Sequence, residues 1–113
     1  MKRLPSLNAT RALEKLGRDI NLARRRRRMS IEDFSERTGI SPATIGRLEK
    51  GDPGVSIGAV AMAFVALGEL KRISNLLDTS QDSVGLFLSE DDVPKRIRKR
   101  KTAGSGPQRG MGF

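Results

Sequence analysis

The sequence predicts an all-α chain: five helices, then a short apolar segment and a basic tail. Three observations carry this. Apolar residues between Leu13 and Leu77 recur mostly at three- and four-residue spacing, the period of one helix face. Ser30, Ser41 and Ser56 stand at the heads of these stripes, where N-caps belong. Gly39, Gly51 and Gly68 stand where the stripes stop.

The first helix carries Leu13, Leu16, Ile20 and Ala23 as one stripe and is expected to run on into Arg24–Arg28. The second begins after Ser30, with Asp33 three residues on as a near-capping box, and ends at Gly39. The third opens on Ser41-Pro42, a capping serine and then proline at the first helical position, and ends at Lys50-Gly51. Asp52-Pro53-Gly54 is turn chemistry. The fourth starts at Ser56 and carries Ile57, Val60, Ala61, Phe64 and Val65 as its expected core stripe. Its other face, Ala59, Met62, Ala63 and Ala66, is also uncharged, so burial on more than one side is expected. The fifth carries Leu70, Ile73, Leu76 and Leu77 and is expected to stop around Asp78. Val84–Leu88 permits either a short helix or a strand, because so few residues do not define a period.

Composition bounds the chemistry. With 113 residues, the chain suits one small domain plus a tail. It has no cysteine and no histidine, which excludes disulfide frameworks, Cys/His zinc sites and His-based triads. The longest apolar run, Ala59–Leu67, is about half of what a membrane helix needs, and no signal peptide is expected. No phosphate-binding loop or catalytic motif occurs, so no enzyme activity, metal or cofactor is expected. The formal net charge is +9, which points to a polyanion. Residues 8–92 hold 13 basic and 13 acidic side chains, however, so the body is neutral. The excess is +2 over residues 1–7 and +7 over residues 93–113.

The informative stretch is Ser30–Gly51. Two short capped helices flank Thr38-Gly39-Ile40-Ser41, with glycine where a positive φ is needed. Phe34, Ile40, Ile45 and Leu48 are spaced to fill the angle between the helices. That is a helix-turn-helix plan, in which one helix braces on the DNA backbone and the next enters the major groove. Residues 16–68 resemble the phage lambda repressor and Cro-type helix-turn-helix family, the XRE family. The match lies in Leu16-Gly17, Ile20, Ala23-Arg24, Ser30, Gly39-Ile40-Ser41, Ile45, Leu48-Glu49, Gly51 and Leu67-Gly68. Leu77-Asp78 and Pro94-Lys95-Arg96-Ile97-Arg98 are similar to HipB-like antitoxins and their regulator relatives.

The resemblance implies roles. Ser41, Pro42, Ala43, Thr44 and Arg47 stand where the family's recognition helix faces DNA, with Lys50 at its end. Arg47 is the expected base reader, since a guanidinium can bond guanine O6 and N7 together. Thr44 is expected on a phosphate or a thymine methyl, and Ser30 is expected to offer its helix N-terminus to a phosphate. Arg24 and Glu49 match a pair that links the family's first helix to its recognition helix. Arg26, Arg27 and Arg28 are either a solvated helix end or phosphate contacts. Lys95, Arg96, Arg98, Lys99, Arg100 and Lys101 are either a solvating tail or backbone contacts that carry charge without sequence information. The chain departs from the family at Ile31, where many members carry Gln, and at Pro42 and Ala43. Readout is therefore expected to lean on Arg47 and on DNA shape.

The expected organisation is an N-terminal arm at 1–7 and a helix-turn-helix domain at 8–78. A strap, dimer or partner segment follows at 79–93, and a basic, Gly-rich disordered tail at 94–113. The expected function is a cytoplasmic, nucleoid-associated repressor that binds double-stranded DNA as a homodimer and regulates its own operon. The alternative is an antitoxin that neutralises a HipA-like kinase toxin while co-repressing the operon. A basic RNA adaptor is a third reading, disfavoured because the chain has no Trp or Tyr to stack on bases.

Overall fold

A computed structural model describes residues 4–81 and 92–99. The chain divides into two units, Met1–Asp78 and Thr79–Phe113. The described residues of the first unit form five helices: α1 (Leu7–Arg26), α2 (Ile31–Thr38), α3 (Pro42–Glu49), α4 (Ile57–Leu67) and α5 (Leu70–Ser74). The described residues of the second include a 3-10 turn, Thr79–Gln81, and the exposed stretch 92–99. No strand occurs among the described residues, so the fold is all-α. The helix-or-strand question at Val84–Leu88 lies outside the described residues, as does the tail beyond residue 99.

Serine caps set the helix starts. Ser6, Ser30, Ser41 and Ser56 each accept a hydrogen bond from the backbone N–H three residues on, filling one of the open donors at a helix head. At Ser30 the box is complete: Asp33 N–H donates to Ser30 Oγ at 3.0 Å, and Ser30 N–H donates to Asp33 Oδ2 at 2.9 Å. The first helix ends earlier than its arginine run suggests. Arg27 is its C-cap and Arg28 has φ 59°, so neither continues the helix. The backbone turns there so that Met29, buried in the core, can fold inward.

The core gathers Ile20, Met29, Phe34, Ile45, Leu48, Ala63 and Leu67. α1 packs on α3, α2 on α3 and α4, and α5 on α4. Two glycines let α1 touch the end of α3. A Cβ on Gly17 would lie 2.6 Å from the Glu49 carbonyl oxygen, and one on Gly51 (φ 79°) 2.6 Å from Glu14 Cα.

Two expectations are corrected. In α4 the core side is centred on Ala63 and Leu67, both buried, with Val60, Phe64 and Ala66 packed beside them. Ile57 and Val65, assigned to the core from sequence, are exposed, Ile57 at 76%. A helix without a polar face carries no marker of its own orientation. Here the small Ala63 faces inward, where a small side chain permits close approach. The fifth helix is shorter than its apolar pattern. It has no side-chain cap at Glu69 and ends at Ser74, leaving Leu76 and Leu77 exposed beyond it.

Candidate nucleic-acid interface

The turn between α2 and α3 is closed by hydrogen bonds. Gly39 takes φ 73°, and its N–H donates to the Ser35 carbonyl at 2.9 Å. Thr38 Oγ1 donates to the Phe34 carbonyl at 2.7 Å and accepts from Ile40 N–H at 3.1 Å. Ser35 Oγ donates to the Ile40 carbonyl at 2.6 Å. With Phe34 and Ile45 fully buried behind them, these bonds define the angle between the two helices.

A second set of bonds ties α3 to α1. Arg24 Nε donates to Glu49 Oε2 at 2.7 Å and Arg24 Nη2 to Glu49 Oε1 at 3.1 Å. Asn21 Nδ2 donates to the same Oε1 at 2.7 Å. Arg24 Nη1 donates to the Met29 carbonyl at 2.9 Å, so one guanidinium joins α1, its connector and α3. The bond to Glu49 pushes the Arg24 pKa further up, against the opposing effect of desolvation. The pair itself is implied by the family resemblance, whereas Asn21 is not. Its polar amide beside an arginine run gives no distinctive sequence signal.

Ser41, Pro42 and Ala43 are exposed at the head of α3. Thr44 is half-buried, and its Oγ1 accepts from Ser41 Oγ at 3.0 Å. Arg47 lies one turn further along, half-exposed, and Lys50 caps the helix in the open. Arg47 has an unanticipated partner: its Nε donates to Asp52 Oδ2 at 2.8 Å. Asp52 Oδ1 accepts from Gly54 N–H, also at 2.8 Å. Arg47 first and Gly54 second hold the Asp52 carboxyl below its ordinary pKa. The five-residue separation is not a helix-face spacing, so the sequence presents Asp52 only as a turn residue.

Other residues predicted to contact DNA lie outside α3. The N–H of Ser30 is committed to Asp33, which leaves the Ile31 and Glu32 amides at the open end of α2. That commitment, first by the Ser30 backbone and then by its hydroxyl, keeps the Asp33 carboxyl below its ordinary pKa. Arg26, Arg27 and Arg28 are exposed; Arg27 Nη1 donates to the Ala23 carbonyl at 2.9 Å. Lys95, Arg96, Arg98 and Lys99 are exposed in the second unit, and Arg100 and Lys101 lie outside the described residues. No cluster of metal-ligating side chains occurs among the described residues, and no helix there is long and apolar enough to cross a membrane.

The sequence matches the helix-turn-helix domain family over residues 15–84, more than half of the chain. No curated protein and no solved structure gives a significant match. The matched span begins in α1 and contains α2, α3, α4 and α5, with the Gly39 turn and the Arg24–Glu49 tie between them. The chain therefore belongs to the helix-turn-helix domain family, in its XRE-like group.

Proposed function

We propose that the protein is a transcriptional repressor that binds specific double-stranded DNA as a homodimer and has no enzymatic activity. The observation that carries this reading is the presentation of α3. Its head, Ser41–Ala43, is open, and Arg47 is half-exposed one turn along, while Ile45 and Leu48 anchor the opposite face in the core. In this reading α3 lies in the major groove and Arg47 contacts a guanine edge. Ser41, Pro42, Ala43 and Thr44 face neighbouring bases and phosphates. Lys50, Arg26, Arg27 and Arg28 neutralise phosphates, and Ser30 contributes the helix end where Ile31 and Glu32 amides face out. Lys95, Arg96, Arg98, Lys99, Arg100 and Lys101 add attraction without sequence preference.

Apolar surface supports the dimer. Ile57, Met62 and Val65 on α4, with Leu70, Leu76 and Leu77, are exposed. A second copy covering them would give the two half-sites, roughly 34 Å apart, that such domains read. A kinase-toxin partner on the same surface is the alternative that the antitoxin reading requires.

Selection from a random duplex pool, with sedimentation of the free protein and of the complex, tests the proposal. The expected result is an inverted-repeat site bound by two copies. Arg47→Ala should relax one base pair per half-site by about 1–3 kcal/mol while leaving the fold intact. Enrichment of no duplex sequence would overturn the proposal. A second chain co-purifying from the native host would favour the antitoxin reading.

A further inference from the structure

Asp52 is closed onto Arg47 from two sides. Its carboxylate accepts Arg47 Nε at 2.8 Å, and its own N–H donates to the Arg47 carbonyl at 3.0 Å. The carboxylate is the steadier member, with its side chain 14% exposed against 51% for Arg47. Its second oxygen is held by Gly54 N–H. Gly51, at φ 79°, turns the chain so that Asp52 comes back beside the last turn of α3. Gly54 adds a further constraint. A Cβ there would lie 3.2 Å from Arg47 Nη2 and 3.2 Å from Asp52 Oδ1, so the absence of a side chain leaves room for the guanidinium tip.

An ion pair this open contributes little to folding. Its consequence is geometric. Arginine is a long side chain with many rotamers, and reading a base requires freezing it in one. Guanine needs two parallel N–H donors. With Nε engaged by Asp52, the Nη1–Nη2 edge is the pair of donors left for a second partner.

We propose that Asp52 is the positioning residue for base readout: it holds Arg47 by Nε so that the Nη1–Nη2 edge is pre-set for a guanine, with Gly54 keeping the space open. The proposal rests on the reading of α3 as the recognition helix. It assigns to the loop after α3 a specificity role exerted through Arg47.

The test is base selection with wild type, Arg47→Ala, Asp52→Asn, Gly54→Ala and the Arg47→Ala/Asp52→Asn double variant, each with a thermal melt. Asp52→Asn keeps an acceptor for Gly54 N–H but turns an amide toward Arg47 Nε. It should melt close to wild type yet lower the guanine preference by roughly 2- to 10-fold at the one position that Arg47→Ala relaxes. Binding to unrelated duplexes should stay equal or rise, because a negative charge is gone. Gly54→Ala should relax the same position by displacing Nη2. The double variant should read no worse than Arg47→Ala alone, since both changes remove one interaction. If Arg47→Ala relaxes a base pair and Asp52→Asn leaves it unchanged, the positioning role is overturned while the recognition helix stands. If wild type selects no sequence, or Arg47→Ala changes no preference, the recognition-helix reading fails and carries this role with it.

Discussion

Arg24 Nε lies 2.7 Å from Glu49 Oε2, and both side chains are more than nine-tenths buried. Both Glu49 oxygens are used, since Asn21 and Arg24 Nη2 share Oε1. Breaking such a pair from one side leaves a charge buried without its partner. Glu49→Ala should therefore destabilise the domain by about 3–5 kcal/mol. Arg24→Met/Glu49→Leu, which removes both charges at similar volume, should recover most of that loss. Urea denaturation of the two variants beside wild type checks it. A double variant as unstable as Glu49→Ala would show that the loss lies in packing.

Gly17 faces the end of α3, where a Cβ would meet the Glu49 carbonyl oxygen at 2.6 Å and the Leu48 carbonyl oxygen at 2.7 Å. Both are backbone atoms in a helix and have little room to yield. Alanine favours a helix interior over glycine, yet Gly17→Ala should lower stability by roughly 1–3 kcal/mol, because overpacking outweighs propensity. A thermal melt at or above wild type would show that α1 and α3 can separate without cost.

The capping box at Ser30 makes a pH prediction. The Asp33 pKa is depressed in the folded state, so the folded protein binds that proton less readily than the unfolded chain. The stabilisation is fully present above the unfolded carboxylate value of about 3.9 and is lost as pH falls toward the folded one. Asp33→Asn should therefore make stability less dependent on pH on the acid side of about pH 5. Denaturant melts across that range measure it. An acid limb as steep as that of wild type would assign the dependence to other carboxylates, Asp52 among them, whose pKa is depressed in the same direction.

The sequence ends with seven basic and no acidic residues over 93–113. Deleting residues 95–113 should weaken binding to every duplex by a similar factor and flatten the salt dependence. The slope should change by about 0.9 for each phosphate that the tail no longer neutralises. Titrations over a range of salt, on the selected site and on an unrelated duplex, measure both effects. Weakening confined to the selected site would mean that the tail reads sequence.

The helix heads were legible because a serine cap and the amide it satisfies lie within one turn of chain. Ser30, Ser41 and Ser56 act as their positions suggest, and Gly39 takes the left-handed turn expected of it. The site was half-legible. The family resemblance points to Arg47, but its tie to Asp52 crosses the helix end and follows from how Gly51 turns the chain. Asn21 reaches Glu49 from 28 residues away, a distance that no local pattern encodes.

The number of helices, most of their starts, and the turn that makes α2 and α3 a unit are all written in local stretches of the chain. Those depend on short-range hydrogen bonds and on backbone freedom at single residues. Which side of α4 meets the core and where α5 stops depend on packing between helices. So does the choice of Asp52 as the carboxylate that holds Arg47. A helix apolar on every side can satisfy the hydrophobic effect in several orientations, and the choice falls to shape. Ala63 is buried in the core while the larger Ile57 and Val65 are left on the surface.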